Sequence, residues 1–339
     1  MEPIDLITQE CRAARQECVL VDHADTSVIE VRGADRISFL HRMLSNDIKK
    51  LSPNQGTYAC LLNAQAKVLA DINLIAFKDF LWMLTGTALK EKIISLFHQT
   101  IIADQVELTD RSAALKLISI HGPKSKNLIA ALTKNRVVPE HLFDHRELSI
   151  EEVPVTLIRL NMIGEIGFGL LMPMEKTNVI EAKIIENSEE FGLVSIHRSS
   201  FETLRIEAGI PLYGVDFDDS YLLPEVGLNH AVSYTKGCFP GQEILARLDS
   251  RGQIAKKLTG FELKGEKIPA KGAKIVVAGK EAGLITSAAF SPTLKKAIAL
   301  GYLKTEALTA GHEVVVEITG DQTPARVKIL PFYTSHTSD

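Results

Sequence analysis

Three residues in this 339-residue chain combine reactive chemistry with informative surroundings: one cysteine and two carboxylates. Cys238 stands in Lys236-Gly237-Cys238-Phe239-Pro240-Gly241-Gln242-Glu243, just ahead of a helix expected from Gln242 to Leu248. A helix N-terminus carries partial positive charge, and together with Lys236 it favours thiolate over thiol. The opposing reading is a small cysteine buried in a tight loop, as free cysteines commonly are. Glu207 lies at the end of a helix closed by Gly209, where its charge opposes the helix dipole, so the position calls for a partner. Its carboxylate can accept two parallel hydrogen bonds from a guanidine-like edge, with Arg205 or another arginine as the internal candidate. Asp71 falls in the apolar run from Val68 to Phe77. A buried, unpaired carboxylate is costly, so Asp71 needs a structural partner such as Asn73 or Lys67, a solvent opening, or a ligand.

The elements that must position these groups are mixed α and β. Continuous apolar character from Val68 to Phe77 suits a buried strand. With a period of two, Leu69, Asp71, Asn73 and Ile75 share one face, which places a carboxylate beside an amide. Strands are expected at Val28–Gly33, Leu115–Ile120, Val153–Leu160 and Ile166–Met172. Helices are expected behind Gly33 with Ile37, Leu40, Met43 and Leu44 on one face, after Gly122-Pro123 with Leu128, Ile129 and Leu132, and over Thr177–Glu186 with Val179, Ile180 and Ile184 inward. Ser199-x-x-Glu202 has the spacing of a capping box for the helix that carries Glu207. The alternation is not strictly strand-helix-strand, which favours α+β layers over a doubly wound sheet. Beyond about residue 252, short runs at Leu258–Leu263, Lys274–Val277, Gly283–Thr286, Ala297–Leu303, Glu313–Ile318 and Ala325–Ile329 alternate with turns. Such spacing predicts a small antiparallel barrel or sandwich, hence two regions, 1–250 and 251–339.

Composition narrows the classes. Hydrophobic residues make up 45% of the chain, enough for a sizeable core, which excludes general disorder. The balance of 38 Lys+Arg against 42 Asp+Glu argues against a protein that coats nucleic acid by charge, so no direct nucleic-acid partner is expected. Cys11, Cys18, Cys60 and Cys238 form neither a disulfide framework nor a metal-ligand spacing, and no metal is assigned. With no basic start ahead of an apolar run, and no apolar stretch of ~18 residues, the expectation is a cytoplasmic protein without membrane segments. Gly164-Glu165-Ile166-Gly167-Phe168-Gly169 has the wrong order for a dinucleotide loop and reads as a strand bend with close backbone approach.

The octet around Cys238 resembles the Lys-Gly-Cys-x-x-Gly-Gln-Glu signature of YgfZ-type folate-binding proteins. That family includes a bacterial tRNA-modifying protein and a mitochondrial iron–sulfur assembly factor, within the wider glycine cleavage T-protein superfamily. Arg205-Ile206-Glu207-Ala208-Gly209-Ile210-Pro211, Leu223-Pro224-Glu225, Val232-Ser233-Tyr234-Thr235 and Ser250-Arg251-Gly252 agree with it. Phe39-Leu40 through Ser45-Asn46-Asp47 resembles the family's early helix, and Leu61-Leu62-Asn63 through Asp71 its strand. Phe290-Ser291-Pro292-Thr293-Leu294 and Ala297 to Gly301 resemble the superfamily's C-terminal barrel. The resemblance thus spans nearly the whole chain.

It implies an α+β glycine cleavage T-protein-like folate-binding fold, with two intertwined lobes and a C-terminal antiparallel β-barrel. It implies that Glu207 grips the pterin, that Asp71 faces the reactive nitrogens of tetrahydrofolate, and that Tyr213, Arg247 and Arg251 line the cleft. Cys238 becomes the functional thiol, within a motif that also includes Lys236, Gly237, Gly241, Gln242 and Glu243. The implied role is tetrahydrofolate-dependent assembly or repair of iron–sulfur enzymes, including a tRNA-modifying one, with folate and iron–sulfur client proteins as partners. Aminomethyltransferases of the superfamily carry Gly-Gly-Ile-x-Asp-Asp where this chain has Ala66-Lys67-Val68-Leu69-Ala70-Asp71, and they lack the cysteine octet. Both departures place folate-dependent aminomethyl transfer second, as the alternative, and leave open whether a net reaction is catalysed.

Overall fold

The computed structural model describes residues 3–134, 138–252, 254–309 and 311–335, apart from the side chain of Arg251. A five-stranded antiparallel sheet runs in the order Gln55–Leu62, Val68–Ala76, Leu81–Gly86, Thr26–Arg32, Glu107–Asp110. A six-stranded sheet runs Leu193–Ser195, Cys18–Asp22, Leu115–His121, Gly167–Pro173, Val153–Leu160, His145–Ile150. Among the described strand pairings of these two sheets, only that of Cys18–Asp22 with Leu193–Ser195 is parallel, so the layers are α+β and not doubly wound. The chain enters the six-stranded sheet at Cys18–Asp22, builds the other sheet, and returns at Leu115–His121, which interleaves the two. Among the described residues, no helix is long and apolar enough to cross a membrane.

Local details separate pattern from environment. The helix Thr177–Glu186 has the expected bounds and buries Ile180 and Ile184, one turn apart. Val179 is 41% exposed, because one residue of rotation (about 100°) carries it off the buried stripe. The helix Arg198–Glu207 starts after His197, so Ser199 lies inside it and forms no capping box. Glu202 turns sideways to Arg198 at 2.9 Å and Arg205 at 2.7 Å. The helix packs Phe201 and Leu204 against an N-terminal helix, Ile4–Gln16, whose Ile7, Cys11 and Ala14 form the matching stripe. That first helix is absent from the expectations above, although its i, i+4, i+7 spacing is visible in the sequence.

The C-terminal strands close a six-stranded barrel in the order Lys256–Leu263, Lys296–Lys304, Lys280–Ser291, Lys274–Val277, Glu313–Ile318, Asp321–Lys328, and the last strand pairs with the first. Its third member is one twelve-residue strand, not a four-residue one, with a bulge between Ile285 and Ser287. In a regular strand Thr286 and Ser287 would face opposite sides, but the bulge lets both hydroxyls reach Oδ1 of Asp216 at 2.6 Å. Arg205, fully buried, donates to Asp216 and Ser287 at 2.6 Å, which fastens the Glu207 helix to the barrel.

Candidate functional site

The strand Val68–Ala76 alternates as its period of two requires. Val68, Ala70, Ile72 and Leu74 are buried, while Leu69, Asp71 and Asn73 are half-buried on the other face. Asp71 and Asn73 face a cleft of two joined lobes, with volumes of about 650 and 680 Å³. Leu160, Met162, Phe201 and Leu212 complete the junction, lining both lobes. The first lobe lies between this strand and the barrel residues Lys257, Thr259 and Leu330. The second is more polar and includes His23, Thr26, Thr85, Lys92 and Arg198.

Asp71 sits at the junction with its acid chemistry tuned. Its Oδ2 accepts a hydrogen bond from the Tyr58 hydroxyl at 3.0 Å. Burial pushes its pKa above the ordinary carboxylate range, and the Tyr58 bond only partly offsets this. Burial and the nearby Asp71 charge hold Tyr58 far above its usual pKa, so it remains a phenol and a donor. Tyr58 stacks between Phe143, at 6.5 Å, and His230, at 5.4 Å between ring centroids. Burial lowers the pKa of His230 and keeps its ring neutral. A carboxylate with a raised pKa, one phenolic partner and an opening onto a cavity has the chemistry of a proton-transfer group.

The other candidates are distributed differently. Tyr213 lines the second lobe, with its hydroxyl donating to the Leu69 carbonyl at 3.0 Å and receiving Lys92 at 3.4 Å. Glu207 is fully buried and lines neither lobe. Ser291 at 2.5 Å, Thr293 at 3.1 Å and Arg15 at 2.6 Å take up its carboxylate, so a protein guanidinium occupies the edge expected to grip a pterin. Arg15 also pairs with the buried Glu165 at 2.9 Å, at the bend of the glycine-rich run. That run does approach other chain segments closely, since a Cβ at Gly167 would lie 1.9 Å from the His121 ring. Arg247 is exposed and lines neither lobe, and the side chain of Arg251 lies outside the described residues.

The cysteine octet forms a surface loop with a structural interior. Lys236 is buried and donates to the carbonyls of His41, Leu44 (2.5 Å) and Asn46 (3.0 Å), where the helix Arg36–Met43 ends. Its three protons are thus spent on the helix terminus, and burial lowers its pKa to about 8. Gly241 has φ +80°, and a Cβ there would meet Ala66 Cα at 2.7 Å and the Asn63 carbonyl at 2.8 Å. The loop therefore seats on the turn that leads into the Asp71 strand. Gln242 reaches back to the Lys236 carbonyl at 3.4 Å, and Gly237 and Glu243 are exposed. Cys238 is exposed and lines neither lobe, so Cys238 and Asp71 are not brought into one site. Burial raises the thiols of Cys11 and Cys18 to about 12 and that of Cys60, opposite Asp71 across the hairpin, well above its ordinary value.

Tyr58 and His230 are the site residues absent from the sequence reading. The partner of Tyr58 across the hairpin is Asn73, and period-two alternation on Gln55–Leu62 would have exposed the tyrosine. His230 reaches the site through a tertiary contact with no local signal.

Residues 3–236 match the GCVT N-terminal domain, and residues 256–334 match the glycine cleavage T-protein C-terminal barrel domain. Aminomethyltransferase from Symbiobacterium thermophilum is 31% identical over 337 residues, covering 97% of this chain and 90% of that protein. Aminomethyltransferase from Halalkalibacterium halodurans is 30% identical over 329 residues, covering 96% and 90%. The glycine cleavage system aminomethyltransferase T of Bartonella henselae shares the fold, with a TM-score of 0.88 at 21% identity over 97% of this chain and 90% of that one. These relatives overturn the expected role in iron–sulfur assembly or repair, which rested on the cysteine octet together with a chain-wide resemblance: the proteins that match over nearly the full length are named for aminomethyl transfer. The chain belongs to the glycine cleavage T-protein family.

Proposed function

We propose that this protein is a folate-dependent one-carbon transferase of the aminomethyltransferase type, with Asp71 as the acid–base group of its cleft. The observation that carries the reading is the placement of Asp71: a carboxylate of raised pKa where two lobes join, in a chain whose end-to-end relatives are aminomethyltransferases. The residues present fit a reduced folate. Each lobe has the volume of a small-molecule site. The Tyr58–His230 stack gives the first lobe an aromatic wall, and Asp71 with Asn73 offers acceptors to the N–H edge of a heterocycle. A reduced folate supplies the nucleophilic nitrogens that accept a one-carbon unit. Asp71 orients that edge, and its Oδ1, the oxygen not engaged by Tyr58, holds the proton that transfer displaces. Tyr213 braces the strand from the second lobe through the Leu69 carbonyl. The apolar junction residues exclude water from the reacting centre.

The likeness of the octet to YgfZ-type proteins is confined to a loop outside both lobes, and iron–sulfur clients form no part of this reading. The family's second acid is absent here, so one carboxylate must do the work. The test is methylenetetrahydrofolate formation from tetrahydrofolate and an aminomethyl donor, followed by mass spectrometry. Turnover by the wild-type chain, lost with Asp71→Ala, is the expected outcome. Tetrahydrofolate binding without turnover on any aminomethyl donor would remove the transferase assignment.

A further inference from the structure

A second polar constellation lies in the other lobe and plays no part in the mechanism above. His23, which lines the second lobe, is 5% exposed, and its Nε2 lies 2.6 Å from Oγ of Ser119. The same hydroxyl lies 2.8 Å from Nε2 of His121, which is fully buried. Burial lowers His23 to about 4 and His121 to about 3, so both rings are neutral. Counting protons then fixes their tautomers. Ser119 has one proton and, among the described residues, no acceptor for it besides the two rings, so it donates to one ring and the other ring donates to it. If Ser119 donated to His121, the proton of that ring would sit on Nδ1, which is buried with no partner and faces Gly167 so closely that no acceptor fits. A sealed, orphaned N–H is among the rarest features of folded proteins. The opposite arrangement leaves only a lone pair there: His121 Nε2–H donates to Ser119, and Ser119 donates to His23 Nε2. The proton of His23 is then on Nδ1. That atom has no protein partner among the described residues, yet it is not one of the sealed-in polar atoms.

We infer that His23 is a ligand-binding residue that presents a fixed, neutral Nδ1–H donor to the second lobe, and that it recognises an acceptor oxygen of the bound folate. Ser119 and His121 act as positioning residues that hold this tautomer. Gly167 is what admits the His121 ring, because any Cβ would lie 1.9 Å from its Nδ1. The inference rests on the folate reading of the cleft, and the experiment separates the two.

The probe is 5-formyltetrahydrofolate, titrated calorimetrically into the full chain and into His23→Gln, His23→Phe and the double variant His23→Phe/Ser119→Ala. The double variant removes the hydroxyl that His23→Phe would orphan, and circular dichroism with melting curves checks each fold. A neutral hydrogen bond is worth about 1 kcal/mol, so His23→Phe and the double variant should bind about 5- to 10-fold more weakly. His23→Gln keeps a donor and should stay within about threefold. Long-range ¹⁵N imidazole spectra should show His23 as the Nδ1–H tautomer and His121 as Nε2–H, with the His23 signal moving when the probe is added. Wild-type affinity in both phenylalanine variants, or the opposite tautomers, overturns the role of His23 and leaves the folate reading standing. Failure of the wild-type chain to bind the probe overturns both.

Discussion

Asp71→Asn should make the protein more stable and less active at once. Asn is nearly isosteric, and its Oδ1 can still accept from Tyr58, whose hydroxyl lies 3.0 Å from the Asp71 carboxylate. No ion pair of Asp71 exists among the described residues, and burial is the largest cause of its raised pKa, so the ionised carboxylate is a cost that the fold carries. Because the folded pKa lies above the unfolded one, the native state binds more protons, and stability falls as pH rises through the interval between the two. The amide removes that penalty. A relieved functional site commonly returns about 0.5–2 kcal/mol, or a few degrees in Tm for a chain of this size. The assay is differential scanning fluorimetry of wild type and Asp71→Asn at intervals from pH 3.5 to 8, alongside transfer activity. The Tm gain should grow as pH rises and vanish toward pH 3.5, where the wild-type carboxyl is largely protonated in both states. An equal gain at every pH, or a loss at pH 7, would refute the claim that Asp71 is a destabilising charge retained for its chemistry.

Other substitutions and conditions probe the rest of the site. Glu207→Ala removes a fully buried partner of Arg15 and should cost about 3 kcal/mol in chemical denaturation, while tetrahydrofolate affinity by calorimetry stays within twofold. Gly241→Ala drives a Cβ into Ala66 and the Asn63 carbonyl at positive φ and should lower stability by about 2–3 kcal/mol, measured by urea unfolding. His23, His121 and His145 are held neutral, with pKa values lowered to about 4, 3 and 4. Stability from these groups is complete above about pH 6.5 and is lost as pH falls toward those values, at up to about 1.4 kcal/mol per pH unit for each. His121→Gln should flatten that slope in urea midpoints between pH 6.5 and 4.5.

Much of the scaffold was legible because it depends on local periodicity. Alternation on Val68–Ala76 placed Asp71 and Asn73 on one face, and that face lines the cleft. Short apolar runs between turns pointed to the barrel, although the sequence could not reveal that Lys280–Ser291 is one strand kinked to serve Asp216. The failures are tertiary. Ser199 and Glu202 have capping-box spacing, but Glu202 has one arginine on either side and the helix begins two residues earlier than that spacing implies. Lys236 stands two residues from Cys238 in sequence, yet the carbonyls ending a distant helix claim its ammonium. Arg15 lies 192 residues from Glu207, so no local pattern could show that a protein guanidinium fills the place assigned to a ligand. The cysteine octet misled for a related reason: its lysine ties the loop to the end of the helix Arg36–Met43 and its second glycine seats the loop on the turn before the Asp71 strand, structural demands that look like a chemical signature.

The central claim is that a reduced folate occupies the cleft at Asp71. Calorimetric titration of tetrahydrofolate into the wild-type chain and into Leu212→Trp tests it most directly, because Leu212 lines both lobes at their junction and an indole there fills the space. One equivalent should bind to the wild-type chain, and a folded Leu212→Trp should lose at least about tenfold in affinity, a change of about 1.4 kcal/mol. Equal affinity in the two proteins would place any folate elsewhere and contradict the account.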